Sequence, residues 1–300
     1  MIKICGVSKF YDDFKSLDAI HAEIADGSIF GLVGSNGSGK STLLRVMSGI
    51  FRADDGEVLY DGENVYENVA LKDKIVYLSD DQFFLPNATL GDMAKLYASV
   101  YSSFSWEEYN KLLNIFSLSS SRKIATFSKG MQKQAAILLG IAAKPRYLLC
   151  DETFDGLDPV MRQLVKRILA DAVAEHGLTP IIASHNLREL EDICDHIGLL
   201  HKGGILFESE IDSLKENIHT VQAVFSREIG IEEIARIGGT VSIKQRGSMV
   251  TTVVRGTEDA VREKIEGLAP DFYEIVPLTL EEIFISEMEE RGYDYTKVVF

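Results

Sequence analysis

The stretch that decides the fold of this chain is Gly34-Ser35-Asn36-Gly37-Ser38-Gly39-Lys40-Ser41-Thr42. It matches the pattern G-x-x-x-x-G-K-[ST], in which glycines let the backbone curl until successive N–H groups point at one anion. Residues 28–33 before it are typical of a short buried strand, and residues 43–49 after it are typical of a helix. Because a phosphate-binding loop requires this strand–loop–helix context, we expect a nucleoside triphosphate to bind here.

Two side chains of this loop have the chemistry that a triphosphate needs. We expect Lys40 to reach the β- and γ-phosphates and the Ser41 hydroxyl to ligate Mg²⁺. The positive end of the following helix adds to the attraction for phosphate. The alternative is a glycine-rich turn with a solvated lysine, but the flanking strand and helix favour the phosphate site.

The composition of the chain limits the classes of partner. Its formal net charge of -15 argues against nucleic acid or an anionic lipid surface as the main partner, because no surplus of cations is available. Its three cysteines are few and odd in number, which indicates reduced thiols in a cytosolic compartment. No run approaches the ~18 apolar residues of a membrane span, and the N-terminus lacks the form of a signal peptide. We therefore expect a protein that is soluble when isolated, or peripheral on a membrane through a protein partner.

An acidic pair follows the second apolar strand. Residues 147–150 form a continuous apolar run, as in a strand buried on both faces of a parallel sheet, and the run ends in Asp151-Glu152. Open α/β sheets bind ligands at this end of their strands. Asp151 could hold Mg²⁺, and Glu152 could act as a general base on water. His185 ends the next buried strand, where we favour a γ-phosphate contact over a purely structural histidine.

Two weaker signals have ordinary alternatives. Tyr11 lies one strand away from the loop and could stack on a nucleotide base, but it could equally be a packed side chain. Ser128 and Gly130 precede a long helix whose N-terminus could bind an anion. Taken alone, a serine and a glycine at a helix start usually form only a cap.

Turn and periodicity signals organise the rest of the chain. Asp26-Gly27 predicts a hairpin turn that closes a strand over residues 17–24, and residues 88–118 are mainly helical in pattern. Residues 216–300 predict the order β-α-β-β-α-β, which is the ferredoxin-like pattern. This last segment carries no triphosphate or metal motif, so we interpret it as an accessory domain.

With these motifs in order, residues 1–215 resemble the nucleotide-binding domain of ABC transporters. Each family motif has a counterpart in this chain: Tyr11 at the adenine-stacking position, Gly34 to Thr42 as Walker A, Phe127 to Met131 at the LSGGQ signature, Tyr147 to Asp151 as Walker B, Glu152 as the catalytic glutamate, Asp155 to Asp158 as the D-loop, and His185 as the switch histidine.

The resemblance implies an α/β fold of the P-loop NTPase class. It implies an ATPase domain with a mixed sheet and a helical subdomain at about residues 86–140, and the element order of residues 216–300 adds the small α+β ferredoxin-like domain. It also implies a head-to-tail dimer. Each ATP would lie between the Walker A loop of one protomer and Ser128, Gly130 and Asp158 of the other, with Mg²⁺ as the second cofactor.

Three departures from the family pattern qualify this picture. Lys129 and Met131 replace a glycine and a glutamine of the signature, a variant that looks like drug, antibiotic or sodium exporters with separate permeases. Counting along the third apolar strand places Asp80, not Gln82, at the family's Q-loop glutamine, so either residue could be the further Mg²⁺ or water ligand. Thr153-Phe154 replaces the usual Pro-Thr after the catalytic glutamate.

The resulting hypothesis is an ATP-hydrolysing subunit of an ABC exporter. ATP binding would close the dimer, hydrolysis would reopen it, and the motion would pass to a separate membrane permease. A homodimer is favoured, with a heterodimer left open, and the chain would lie on the cytoplasmic face of the membrane. Phe83, Phe84 and Leu85 are candidate permease contacts, with simple core packing as an equal alternative.

Two other function classes remain as alternatives. The first is a soluble, nucleotide-gated regulator whose C-terminal domain senses a ligand, an analogy that rests on fold alone. The second is a soluble ABC ATPase that acts on ribosomes or DNA. That class is disfavoured because the chain has one cassette, no long heptad repeats and a net charge of -15.

Overall fold

The computed structural model describes residues 1–227 and 229–290, in two compact units. The first unit covers Met1–Glu208, and the second begins at Ser209. The sequence places this boundary after residue 215. The difference is a short helix over Ile211–Glu216, which packs on elements of the second unit.

The first unit contains ten strands and seven α-helices among its described residues. The strands are β1 (Ile2–Tyr11), β2 (Phe14–Ile24), β3 (Phe30–Val33), β4 (Asp55–Tyr60), β5 (Glu63–Asn64), β6 (Ile75–Leu78), β7 (Tyr147–Asp151), β8 (Thr179–Ser184), β9 (His196–His201) and β10 (Gly204–Glu210), which runs across the boundary. The helices are α1 (Lys40–Met47), α2 (Val69–Lys72), α3 (Leu90–Val100), α4 (Trp106–Ile115), α5 (Lys129–Ala142), α6 (Pro159–His176) and α7 (Leu187–Glu191), with one 3-10 turn at Ile124–Thr126.

These strands form two sheets that share one hydrophobic core. A four-stranded antiparallel sheet has the order β2-β1-β4-β5, and a six-stranded sheet has the order β10-β9-β3-β8-β7-β6. In the second sheet β9, β3, β8, β7 and β6 pair in parallel. Every residue of β3, β7 and β8 is buried, as expected for parallel strands covered on both faces. Leu43 and Leu44 of α1 join the core between the sheets, which fixes the loop before α1 at the edge where these strands end.

The predicted hairpin turn at Asp26-Gly27 is wrong. β2 pairs with β1 through the turn at Asp12-Asp13, while β3 lies in the other sheet. Asp26-Gly27 is a turn, but it carries the chain from one sheet to the next. Turn residues show that the chain reverses or bends, and they do not show which strand is the partner.

The helical part of the first unit follows its local signals closely. Thr89 caps α3 in a capping box with Asp92, and the Ser105 hydroxyl accepts from the Glu108 N–H at the start of α4. α5 begins at Lys129 with Ser128 as its N-cap, so Gly130 lies within the helix, whereas the sequence predicts it before the helix. The cap therefore places the signature residues on the first turn of α5.

The second unit is an α+β unit with its own core. It consists of α8 (Ile211–Glu216), β11 (Ile218–Val224), α9 (Ile231–Ala235), β12 (Thr240–Arg246), β13 (Met249–Arg255), α10 (Glu258–Glu266), β14 (Phe272–Pro277) and α11 (Leu280–Glu290). Its antiparallel sheet has the order β12-β13-β11-β14, and its β-α-β-β-α-β core has the ferredoxin-like order. The last ten residues of the predicted accessory domain lie outside the described part. Within residues 1–227 and 229–290, no helix combines the length and apolar character needed to cross a bilayer.

Candidate functional site

The loop between β3 and α1 is shaped by two glycines. A Cβ added at Gly34 would lie 2.4 Å from the Leu200 carbonyl oxygen, so only glycine fits this position. Gly39 is the N-cap of α1 with φ +108°, and a Cβ there would lie 2.7 Å from the Ser16 carbonyl oxygen. Only glycine therefore allows the close backbone approach and the left-handed φ of a curl that aims N–H groups at an anion.

Lys40 lies at the centre of the site. Its side chain is 5% exposed, and its Nζ donates to the carbonyl oxygens of Gly34 at 2.6 Å and Ser35 at 3.3 Å. The same Nζ lies 3.3 Å from Glu152 Oε1. The sequence predicts Lys40 and Glu152 as separate site residues, and the structure brings them into direct contact.

Glu152 is held on its other side by the predicted histidine. His185 Nδ1 lies 2.9 Å from Glu152 Oε2, because β7 and β8 are parallel neighbours whose carboxyl ends meet. The backbone of Glu152 has φ +48°, a conformation that costs about 1–2 kcal/mol for a residue other than glycine. Its N–H donates to the Ala183 carbonyl at 3.0 Å. A strained, well-anchored backbone of this kind is typical of functional positions.

Asp151 lies deeper than Glu152 and is 1% exposed. Ser41 Oγ donates to its Oδ1 at 2.9 Å, and Tyr77 OH donates to its Oδ2 at 2.9 Å. Burial raises the pKa of the Asp151 carboxyl above its usual range, although both hydroxyl donors act in the opposite direction. Burial and the nearby Asp151 also raise the pKa of Tyr77. No sequence motif identifies Tyr77; its only indication is a hydroxyl group on a mostly buried strand next to the Walker B strand.

An open cleft of about 580 Å³ joins the loop to an aromatic surface. Tyr11 lies edge-to-face against Phe51 with ring centroids 6.3 Å apart, and the Arg45 guanidinium lies 5.7 Å from the Phe51 ring. Tyr11 keeps 41% of its surface exposed, so it is not a simply packed side chain. The lining also includes Phe14, Asn36, Gly37, Lys40, Ser41, Thr42, Asp80 and Glu152. Neither Phe14 nor Phe51 belongs to a motif that the sequence reveals.

The polar groups of this cleft suit a nucleotide with its metal ion. In the described part of the chain, the Ser38 hydroxyl is buried without a hydrogen-bond partner, inside the loop that is shaped for phosphate. Among those residues, no cluster of three or more His, Cys, Asp or Glu side chains forms a complete metal site. Mg²⁺ in nucleotide sites commonly takes one or two carboxylates, with substrate phosphates and water completing its shell. The adjoining Ser41 hydroxyl and Asp151 carboxylate fit that requirement.

The two candidates for the Q-loop position are separated by the structure. Asp80 lines the cleft together with Lys40, Ser41 and Glu152. The Gln82 side-chain amide donates to the Ser79 carbonyl, and Gln82 lines a neighbouring pocket with Lys129 and Asp155. Asp80 lines this neighbouring pocket as well, but of the two candidates it alone, among the described residues, also lines the cleft with Ser41.

The three residues expected to act in trans lie at helix starts. Ser128 Oγ accepts from the Met131 N–H at 3.3 Å at the start of α5, where Gly130 also lies, and Asp158 Oδ1 accepts from the Met161 N–H at 2.9 Å at the start of α6. None of the three is among the described residues that line the cleft of their own chain.

The candidate permease contacts begin close to the cleft, just after Asp80. Phe83 is 76% exposed, Leu85 is exposed and Phe84 is half-buried. Core packing, the alternative interpretation, therefore does not describe Phe83.

Taken together, the parallel sheet, the loop and the carboxylate pair define a P-loop ATPase of the ATP-binding cassette type, which confirms the predicted fold. The family described as ABC transporter matches residues 17–155. The ABC transporter ATP-binding protein YtrB of Bacillus subtilis is 30% identical, over 96% of this chain and 98% of its own length. The bacitracin transport ATP-binding protein BcrA of Bacillus licheniformis is 29% identical over 72% of each chain. A solved structure described as an ATP binding subunit of an ABC transporter has a TM-score of 0.66 and 25% identity, over 72% of this chain and 92% of its own.

The chain belongs to the ABC transporter ATP-binding proteins, and its activity is ATP hydrolysis. The match to YtrB covers 96% of this chain, so it extends across both units. The soluble regulator and the ribosome- or DNA-acting ATPase are not favoured, because the relatives named here are transport ATP-binding proteins.

Proposed function

We propose that the loop Gly34 to Thr42 binds the triphosphate of ATP and that Glu152 activates the attacking water. The observation that carries this proposal is the contact of Glu152 with Lys40 on one side and His185 on the other. Phosphoryl transfer depends mainly on positioning and on neutralising charge, and this arrangement provides both.

Each residue of the proposed site has a distinct task. The Lys40 ammonium binds phosphate oxygens, Tyr11 stacks on the base, and His185 orients Glu152 and contacts the γ-phosphate. Ser41 and Asp151 would hold Mg²⁺, and Asp80, which lines the same cleft as Ser41, is favoured over Gln82 as a further ligand, directly or through water. When bound, Mg²⁺ neutralises negative charge that develops on the β- and γ-phosphates.

A second copy of the chain would complete each site. Ser128, Gly130 and Asp158 line no part of the cleft that their own chain provides, in the residues described. Helix N-termini attract phosphate, so the start of α5 from a partner is well suited to cover the γ-phosphate. We propose a head-to-tail homodimer, with pairing to a different ATPase chain as the competing outcome.

The transport step is proposed to be export through a separate permease. The Lys129 and Met131 form of the signature supports this direction, and the relative BcrA is described as a bacitracin transport protein. The exposed Phe83, with Phe84 and Leu85, would contact the permease, and the chain would lie peripherally on the cytoplasmic face of the membrane. ATP would drive dimer closure because γ-phosphate contacts favour only the closed arrangement.

The variant Glu152→Gln tests whether Glu152 activates the attacking water. Glu175→Gln, on the exposed end of α6, is the matched control. The loss of a general base should lower ATP turnover by about 10²-fold or more, while ATP affinity stays within a few-fold of the parent. The control should retain full turnover. Near-normal turnover in Glu152→Gln would show that another group activates water.

The permease contact has its own test. Phe83→Ser should reduce co-purification of the co-expressed permease, because an exposed aromatic anchor is lost from the contact. Val69→Ser, at another strongly exposed apolar position, is the control and should leave co-purification unchanged. Equal recovery of the permease with both variants would place the contact elsewhere.

A further inference from the structure

Lys133 on α5 connects three parts of the site. Its side chain is 13% exposed, and its Nζ donates to Asp80 Oδ1 at 3.0 Å and to the Glu152 carbonyl oxygen at 2.9 Å. One ammonium group therefore joins the loop after β6, the signature helix α5, and the turn that follows β7. None of the sequence motifs assigns a task to this lysine.

The carbonyl that Lys133 contacts belongs to a strained residue. Glu152 has φ +48°, and its carbonyl also accepts from the Asp155 N–H at 3.2 Å. The direction of the Glu152 side chain depends on this backbone. Because a left-handed conformation persists only where its surroundings enforce it, the Lys133 hydrogen bond bears directly on where the carboxylate points.

The second acceptor, Asp80, adds a negative charge to a cleft that must receive a triphosphate. The family pattern has a neutral glutamine at this position, whereas this chain has Asp80, which lines the same cleft as Lys40 and Ser41. Lys133 provides the opposite charge within hydrogen-bond distance of that carboxylate. With neither Mg²⁺ nor Lys133 beside it, the Asp80 carboxylate would repel the phosphates.

We propose that Lys133 is a positioning residue for ATP hydrolysis, which neutralises Asp80 and fixes the main chain of Glu152. The inference rests on the proposed role of Glu152 as the general base. The same hydrogen bonds connect two regions of the chain. The loop that carries Asp80 continues to the exposed Phe83, so a displacement of this loop would be transmitted to Glu152 through the Lys133 side chain.

The experiment compares Lys133→Met with Lys95→Met, which removes an exposed lysine from α3. Hydrogen–deuterium exchange of the full chain is measured first, because it needs neither activity nor nucleotide. We expect faster exchange in residues 79–82 and 152–157 of Lys133→Met, and no change there in Lys95→Met. Unchanged exchange in both segments would overturn the proposal.

Turnover and binding are measured next, in the permease complex if the isolated chain is inactive. Lys133→Met should lower kcat about tenfold, since small misplacements of a catalytic group are costly, with the Kd for a non-hydrolysable ATP analogue changed by less than about threefold. Asp80→Asn added to Lys133→Met should cost less than the sum of the two single changes, because the pair acts as a unit. Additive losses, or a kcat equal to that of Lys95→Met, would overturn the proposal.

Glu152→Gln measured alongside separates this proposal from the one on which it rests. If Glu152→Gln is inactive while Lys133→Met is fully active, Lys133 has no positioning role and the assignment of Glu152 stands. If Glu152→Gln is active, the general base is wrongly assigned, and the proposal for Lys133 fails with it.

Discussion

Lys40 has two groups of partners, the loop carbonyls and Glu152. We expect Lys40→Ala to weaken ATP binding by about 10- to 100-fold, because hydrogen bonds to charged groups contribute about 1.5–3 kcal/mol each. Titration calorimetry with a non-hydrolysable analogue measures this directly. Lys111→Ala, which removes an exposed lysine from α4, is the control. Unchanged affinity in Lys40→Ala would remove this lysine from the phosphate site.

The stability of the folded chain should depend on pH through the Asp151 carboxyl. Burial raises the pKa of its carboxyl, so the ionised form is disfavoured in the folded state and lowers stability at pH values above that pKa. Asp151→Asn can keep the hydrogen bonds with Ser41 and Tyr77, and it should raise the thermal midpoint of the nucleotide-free protein near neutral pH. The gain should shrink as the pH falls through the raised pKa, because Asp151 then becomes neutral. A pH-independent difference would contradict this account.

The site residues that sequence reasoning identified are those whose spacing is local. The loop from Gly34 to Thr42 and the pair Asp151-Glu152 are each read from a few consecutive positions. The hydrogen bonds from Tyr77 to Asp151 and from Lys133 to Glu152 join residues far apart in the chain. Such contacts depend on which strands lie side by side, and local sequence patterns do not predict the order of strands in a sheet.

At the scale of elements, the junction between β3 and α1 is the most constrained part of the molecule. Gly39→Ala combines an unfavourable φ with a Cβ placed 2.7 Å from a backbone oxygen, whereas a Cβ at Gly37 meets no atom within 4 Å. We expect Gly37→Ala to cost about 1–2 kcal/mol from its φ of +78° alone, and Gly39→Ala to cost several kcal/mol. Thermal midpoints of the two variants, measured without nucleotide, give the comparison. Equal midpoints would show that the close contact at Gly39 is relieved by local movement.

The elements themselves were largely predictable, and their pairing was not. Buried apolar runs predicted β3, β7 and β8, but the sequence places Gly130 before α5, whereas α5 begins at Lys129. The turn at Asp26-Gly27 was assigned to a hairpin because its chemistry suits one, yet the strand that follows pairs in parallel with strands from much later in the chain. Parallel pairing places partners at long sequence separation, beyond the reach of a local pattern.

At the scale of the whole molecule, the two units differ in what they contribute. All the proposed nucleotide ligands lie in the first unit, and the second has a separate hydrophobic cluster that includes Val221, Val254 and Ile265. We propose that the second unit is an independent domain. A fragment covering residues 209–300 should therefore unfold cooperatively on heating, as followed by circular dichroism. A fragment without a cooperative transition would show that its core depends on the rest of the chain.

We propose that this chain dimerises when it binds ATP, with the triphosphate held between Lys40 of one copy and Ser128 of the other. The most direct test is the molar mass of Glu152→Gln in solution, measured by light scattering with and without ATP and Mg²⁺. Because this variant should bind ATP without consuming it, we expect the mass of two chains with ATP and of one chain without it. Adding Ser128→Arg to Glu152→Gln should keep the protein at the mass of one chain in the presence of ATP and Mg²⁺. A mass of one chain for Glu152→Gln while ATP is demonstrably bound would contradict the account.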